Sequence, residues 1–137
     1  MMDRDLVLSV MLPISPEKAY QDWLDSAAHS SFTGSPADID PVIGGKFFAW
    51  EGYIFGKTLE LSPGKRIRQT WRTTEFPTES PDSILEVLFE PSGNGTRLTL
   101  IHTTIPEGQA DEYEKGWREF YFDPMKAYYE IENQTEN

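Results

Sequence analysis

An aromatic stretch near the end of the sequence, Gln109 to Ile131, constrains the fold more than any other feature. It holds seven aromatic residues, and at 3.6 residues per turn four of them fall close to one line of a helix: Tyr113, Trp117, Tyr121 and Tyr128. Burying four or five such rings contributes roughly 10 kcal/mol, at about 2 kcal/mol each. An isolated surface helix cannot do this, so we expect the preceding chain to supply a broad concave surface.

Composition limits the fold and the partners. With 137 residues and 38% hydrophobic content the chain can bury one core, and no linker-like stretch interrupts it, so residues 1–137 are expected to form one domain. The formal net charge of -11 argues against nucleic acid and anionic membranes as partners. Cysteine is absent, which excludes disulfides and thiolate nucleophiles. The N-terminal apolar run is too short for a signal peptide or membrane span, so we expect a cytoplasmic protein. The oligomeric state is left open.

Local patterns predict one strand, two short helices and then a series of strands before the aromatic stretch. Leu6 to Leu12 alternates like a strand, and Ser15-Pro16-Glu17 is typical of a helix start, because serine caps the first turn and proline fits its geometry. A break near Asp25 and a stop at Gly34 delimit a second short helix. Further strands are expected over about 37–40, 46–50, 52–61, 66–73, 83–90 and 96–104.

The clearest strand is Arg66 to Thr73, because charged and apolar side chains alternate along it with a period of two. Short turns containing glycine separate this strand from its neighbours, which favours an antiparallel meander. We therefore predict an α+β fold in which six or seven antiparallel strands form a bent sheet around a long C-terminal helix. Gly52 and Gly56 are plausible points for the bend.

Several runs of residues, in this order and spacing, resemble a known family, the activator of heat-shock-ninety ATPase, C-terminal-domain-like family. The resemblance extends from about Leu6 to Glu130. It is carried by Gly44-Gly45-Lys46-Phe47, Glu51 to Gly56, Leu59 to Ile67 with Trp71-Arg72, Ile105-Pro106, and Gly116-Trp117 to Phe122 with Pro124. This family is a branch of the START-like, birch-allergen-type (SRPBCC) superfamily, so the resemblance implies the helix-grip fold.

The resemblance also implies two kinds of partner. Eukaryotic co-chaperones of this family carry a separate N-terminal domain that does much of the chaperone binding, and this sequence resembles their second domain. Stand-alone members of the superfamily resemble carriers or sensors that hold a small molecule between sheet and helix, while other members are enzymes. Fold alone therefore does not choose the function.

If the sheet and the C-terminal helix enclose a cavity, eight side chains are candidates to line it. His102 lies on one strand face with Leu98 and Leu100, and Gln69 shares a face with Trp71, so His102 and Gln69 are candidate polar anchors. The alternatives are a core histidine bonded to a carbonyl or tyrosine, and an amide bonded across the sheet. The aromatic rings could equally be plain core. The candidates are Gln69, Trp71, Leu98, Leu100, His102, Tyr113, Trp117 and Tyr121.

Other polar residues give weaker signals. His29 is expected to be a surface or capping residue and not a gate to the cavity. Because His29 and His102 lie far apart in sequence without a metal-binding spacing, we expect no metal and no cofactor. Glu86 and Glu90 share a strand face that fits a solvated exterior better than paired acid–base carboxylates.

Two residues inside the aromatic stretch are unfavourable in a helix and need a structural reason. Gly116 costs roughly 1 kcal/mol and Pro124 roughly 3 kcal/mol relative to alanine. Gly116 is expected to allow close approach of the sheet. Pro124 is expected to kink the helix between Phe120 and Pro124.

Three functional hypotheses follow. The first is a non-enzymatic domain that holds a hydrophobic small molecule between the sheet and the C-terminal helix. The second, implied by the resemblance, is an interaction domain that modulates a heat-shock-ninety-type ATPase. The third is an enzyme that uses His102 for acid–base chemistry in the cavity. An enzyme is the less favoured expectation, because no nucleophile elbow or paired carboxylate motif accompanies His102.

Overall fold

The computed structural model describes the backbone of residues 5–135 and the side chains of residues 5–131. Seven strands form one antiparallel sheet in the order β1-β7-β6-β5-β4-β3-β2. The strands are β1 Leu6–Leu12, β2 Ala37–Ile39, β3 Lys46–Ala49, β4 Ile54–Ser62, β5 Arg66–Thr73, β6 Ser83–Ser92 and β7 Gly95–Thr103. Two short helices, α1 Pro16–Leu24 and α2 Ser26–Thr33, separate β1 from β2. The predicted α+β order of elements is confirmed. The ends of the predicted domain, residues 1–4 and 136–137, lie outside the described residues.

Capping side chains fix the two short helices. The Ser15 hydroxyl accepts a hydrogen bond from the Lys18 backbone N–H at 3.1 Å, and the Asp25 carboxylate accepts one from the Ala28 N–H at 2.8 Å. Gly34 ends α2 with a φ of 79°, a left-handed conformation that glycine adopts without a steric penalty. The predicted starts, break and stop of these helices are confirmed.

One face of the sheet is apolar and packs on the C-terminal helix. Side chains on β5 alternate strictly, with Ile67, Gln69, Trp71 and Thr73 buried, as the period of two predicts. The inward face of β6, which the sequence left open, carries Leu85, Val87 and Phe89.

The sheet bends within β4. A β-bulge shifts the register of β4 against β5 between Thr58 and Glu60, and a bulge bends its strand. A Cβ added at Gly56 would collide with the Thr70 carbonyl oxygen, so only glycine allows this close approach. Gly52 instead belongs to a turn before β4, with a φ of 86°. The predicted strand over 52–61 therefore begins later, at Ile54.

The C-terminal helix, residues 110–135, has three parts. These are α3 Ala110–Gly116, a π-helical segment Trp117–Phe122 and α4 Asp123–Thr135. A π turn contains one more residue than an α turn, so the buried row changes phase along the helix. Tyr128 was predicted to continue this row and is only half-buried, whereas Tyr129 is fully buried. The buried row is Tyr113, Trp117, Tyr121, Met125 and Tyr129.

Pro124 and Gly116 have structural settings that differ from the prediction. The helix is irregular next to Pro124 as expected, but the irregularity is the π-helical segment that ends at Phe122. The prediction for Gly116 is wrong, because a Cβ added there would meet nothing within 4 Å. Gly116 therefore leaves open space instead of admitting the sheet.

The bent antiparallel sheet wrapped around a long C-terminal helix is the predicted helix-grip fold. No helix in residues 5–135 combines the length and the apolar character needed to cross a membrane.

Candidate functional site

A groove opens between the sheet and the first half of the C-terminal helix. Its volume is about 360 Å³, within the range typical of small-molecule sites. One wall comes from the turn before β4 and from β4 and β5, and the other from α3 and the π-helical segment. We call it the aromatic groove, and its lining consists of Trp50, Tyr53, Ile54, Trp71, Glu112, Tyr113, Gly116, Trp117, Phe120 and Tyr121.

A strained turn sets the sheet-side wall of the aromatic groove. Trp50 and Glu51 have φ values of 55° and 59°, and Gly52 follows at 86°. Left-handed conformations cost a non-glycine residue about 1–2 kcal/mol, so the contacts around the turn must hold it in place. The Trp50 ring lies edge-on to Phe120 and Tyr121, with centroids 5.6 and 6.5 Å apart. The turn therefore brings the sheet and the helix together over one end of the groove.

Helical spacing sets the other wall. Tyr113, Trp117 and Tyr121 follow one another at intervals of four residues, so their rings lie in one row facing the sheet. Gly116 contributes no side chain next to this row, and Phe120 stands at the mouth of the groove with 53% of its surface exposed. The absence of a side chain at Gly116 is part of what keeps the groove open.

The phenol groups at one end of the groove are hydrogen-bonded within the protein. The Tyr113 hydroxyl accepts from Thr73 Oγ1 at 2.7 Å and donates to Gln109 Oε1 at 2.6 Å. The Tyr53 hydroxyl donates to Glu75 Oε2 at 2.6 Å. Burial, and then the hydrogen bond to Glu75, raises the pKa of Tyr53 above its ordinary value. Both phenols therefore stay protonated and neutral near neutral pH.

His102 lies beneath Trp117 and does not line the groove. The Trp117 indole donates to His102 Nδ1 at 3.1 Å, so the ring proton is on Nε2, which donates to Ser83 Oγ at 2.8 Å. Burial lowers the pKa of His102 to about 3, so the ring is neutral. Both ring nitrogens are used, which leaves His102 no free atom to anchor a ligand or transfer a proton. The geometry matches the alternative in which His102 is a core histidine.

His29 is buried, so its prediction as a surface or capping residue is wrong. Its Nδ1–H donates to the Trp23 carbonyl at 2.9 Å, and its Nε2 accepts from the Tyr121 hydroxyl at 2.9 Å. Burial lowers the pKa of His29 to about 4, and burial also raises the pKa of Tyr121. The short helix α2 packs against the C-terminal helix here, and sequence spacing alone could not reveal that long-range contact.

The structure separates the eight candidate residues into three groups. Trp71, Tyr113, Trp117 and Tyr121 line the aromatic groove, whereas Leu98, Leu100 and His102 are buried in the core. Gln69 is buried beside a second cavity of about 10 Å³, and its amide donates to Thr58 Oγ1 at 3.4 Å. A cavity of that volume holds one water molecule at most. Neither candidate polar anchor therefore reaches the groove.

Several lining residues are not among the eight predicted candidates. Trp50 and Tyr53 flank a turn in a region where the sequence predicts strands. Phe120 does not lie on the predicted helical row. Glu112 is not among the predicted candidates, and its side chain is exposed at the edge of the groove. The available signal was the glycine in Trp50-Glu51-Gly52, since glycine marks turns and binding residues are frequent on loops.

Glu86 and Glu90 lie on the outer face of β6. Glu86, considered as a paired carboxylate with Glu90, instead accepts from Arg66 at 2.7 Å on the outer face of the sheet. Among the described residues, no group of three or more histidine, aspartate or glutamate side chains is placed to hold a metal ion.

The fold and the groove place the protein in the class of helix-grip domains of the SRPBCC type. Within that class, the chain belongs to the family described as Activator of Hsp90 ATPase homolog 1-like protein, whose sequence profile matches residues 13–130. The resemblance inferred from the sequence motifs is confirmed.

Curated relatives agree with this family. Activator of 90 kDa heat shock protein ATPase homolog 1 from Mus musculus is 29% identical over 112 residues, which make up 82% of this chain and 33% of that protein. The corresponding homolog from Dictyostelium discoideum is 30% identical over 124 residues, 90% of this chain and 32% of that protein. The chain thus spans about one third of the length of these relatives.

Solved structures share the fold along most of the chain. An Hsp90 activator from Plasmodium falciparum superposes with a TM-score of 0.84 at 23% identity, covering 91% of this chain and 95% of that one. A protein from Chromobacterium violaceum gives a TM-score of 0.74 at 27% identity, covering 92% and 96%.

Proposed function

We propose that this protein binds an apolar small molecule in the aromatic groove and acts as a non-enzymatic ligand-binding domain. The observation that carries the proposal is a groove of about 360 Å³ in which seven of the ten lining residues are aromatic. Aromatic rings that lack a protein partner on one face gain most from a guest that covers that face.

The polar atoms around the groove support an apolar guest. The hydroxyls of Tyr53, Tyr113 and Tyr121 and the indole N–H of Trp117 are all bonded to protein partners. These four donors are therefore not available to a ligand, so apolar contact with the rings would contribute most of its affinity.

A groove-filling variant tests this proposal. We expect wild-type protein to bind neutral two-ring aromatics, 2-naphthol among them, with saturable quenching of tryptophan fluorescence. Gly116→Leu places a side chain in the open space at Gly116 and should weaken binding at least tenfold. Glu119→Leu adds the same side chain at an exposed position of the helix outside the lining and should bind like wild type. Equal binding by both variants, or no binding across the panel, would contradict the proposal.

A second candidate function is modulation of an Hsp90-type ATPase, and it is favoured by the family match over residues 13–130. Two curated relatives carry that activity in their names, although this chain spans a third of their length. We expect the protein to change the ATPase rate of an Hsp90-type chaperone from its own organism. Gly116→Leu should change that rate as wild type does if chaperone contact and ligand binding use different surfaces. An unchanged rate, with no complex at high protein concentration, would refute this candidate.

A further inference from the structure

The aromatic groove carries negative charge and no positive charge along its lining. Glu112 lines it directly, and the carboxylate of Glu75 lies beside it as the acceptor for the Tyr53 hydroxyl at 2.6 Å. The nearest basic residues on the helix, Lys115 and Arg118, are outside the lining, and Arg118 lies 3.8 Å from Glu114. A charged guest in the groove would therefore meet carboxylates first.

Both carboxylates act on the same end of the groove. Burial raises the pKa of the Tyr113 hydroxyl, and the negative charges of Glu75 and Glu112 raise it further. Since Tyr113 lines the groove, the field that disfavours a phenolate there would favour a cation. The net charge of -11 for the whole chain acts in the same direction on an approaching ligand.

The rings themselves also favour a cation. An aromatic face carries the negative part of the ring quadrupole and attracts a cation within about 6 Å, with tryptophan the strongest. Three of the four tryptophans of the chain, Trp50, Trp71 and Trp117, line the groove. The indole N–H of Trp117 is bonded to His102, so this ring has no free donor to repel a cation in the groove.

We propose that the preferred ligand of the aromatic groove is an organic cation with an apolar body, such as an arylalkylammonium ion. This inference rests on the proposed ligand-binding function and adds the charge of the ligand to it. The rings contact the apolar body and the alkylated nitrogen of the ligand. Glu112 and Glu75 stabilise the positive charge at the Tyr113 end of the groove.

A pair of isosteric probes tests the charge without changing the shape. Benzyltrimethylammonium and neopentylbenzene differ only in a quaternary nitrogen in place of a carbon. We expect wild-type protein to bind the cation at least fivefold more tightly than the neutral probe, measured by tryptophan fluorescence in low salt. Glu112→Gln should weaken cation binding about threefold and leave neutral binding unchanged. Glu119→Gln removes the same charge from an exposed position outside the lining and should have a smaller effect.

The outcomes separate this inference from the function on which it rests. A preference for the cation that depends on Glu112 more than on Glu119 supports the inference. Equal affinities for the two probes, or equal losses in the two variants, overturn it while leaving the groove a binding site for apolar molecules. If neither probe binds and the neutral two-ring panel also fails, the ligand-binding function is overturned as well.

Discussion

The C-terminal helix buries aromatic side chains in two regions that differ in what meets them. In the packed region, around His29 and His102, each histidine nitrogen has a protein partner and the rings are enclosed. In the aromatic groove, the rings border an open volume of about 360 Å³, and Phe120 at its mouth is 53% exposed. The two regions share one helix and one sheet, so the difference in packing arises from a few local structural features.

Trp117 and Tyr121 belong to both regions, and they show what the difference teaches. Their polar atoms point into the packed region, to His102 and His29, while their rings line the groove. Two neutral buried histidines thus fix the orientation of two groove rings. The packed region provides rigidity, and the groove provides the free surface.

The largest expected loss of stability comes from a substitution in the packed region. His102→Ala leaves the Trp117 indole N–H and the Ser83 hydroxyl without their partner and opens a cavity at a fully buried position. We expect a loss of about 3 kcal/mol or more in the free energy of unfolding, measured by urea denaturation. Phe120→Ala, at the exposed mouth of the groove, should cost less than about 1 kcal/mol. Similar losses in the two variants would remove the distinction between the regions.

The pH dependence of stability tests whether the histidines are neutral and buried. Both folded pKa values, about 4 for His29 and about 3 for His102, lie below the ordinary 6.5. The unfolded chain therefore binds more protons as pH falls below 6.5, and stability present above that pH is lost on acidification. Each histidine contributes a slope of about 1.4 kcal/mol per pH unit.

The His29→Gln variant separates the contribution of His29 to the pH dependence of stability from that of the carboxylates. Between pH 6.5 and 4.5, wild type should lose about 2 kcal/mol more of its unfolding free energy than His29→Gln, which does not titrate. Urea denaturation across this range measures both proteins. Parallel pH profiles would mean that His29 is accessible to protons in the folded state.

The smallest expected change in stability comes from a substitution in the aromatic groove. Gly116→Ala adds a Cβ that meets nothing within 4 Å, at a helical position with a φ of -60°. Alanine is favoured over glycine in a helix, so we expect the unfolding free energy to rise by about 0.5–1 kcal/mol. Gly56→Ala is the control, because its Cβ would collide with the Thr70 carbonyl and should destabilise strongly. Destabilisation by Gly116→Ala would show that the groove is filled in solution.

Regular parts of the fold were predictable from the sequence because local chemistry determines them. Alternation located β5 at Arg66–Thr73, and the Ser15 cap, the break near Asp25 and the stop at Gly34 located the short helices. The family motifs then gave the helix-grip arrangement.

The site was less predictable because it depends on long-range contacts and on one irregular turn. The π-helical segment moved Tyr129 into the buried row in place of Tyr128, and no period of 3.6 predicts such a change. His29 is buried only because α2 packs on the C-terminal helix. Four of the candidates line the groove: Trp71, Tyr113, Trp117 and Tyr121. The sheet-side wall at Trp50 depends on a turn that lies where the sequence predicts strands.

The most direct test of the central claim, that ligands enter the groove and not the packed region, uses the four tryptophans as probes. The indole N–H signals of the ¹⁵N-labelled protein can be followed by NMR during titration with 2-naphthol. The structure predicts saturable shifts for Trp50 and Trp71, which line the groove, and a much smaller shift for Trp23, which packs against His29. Shifts that are largest at Trp23, or absent at all four, would contradict the account.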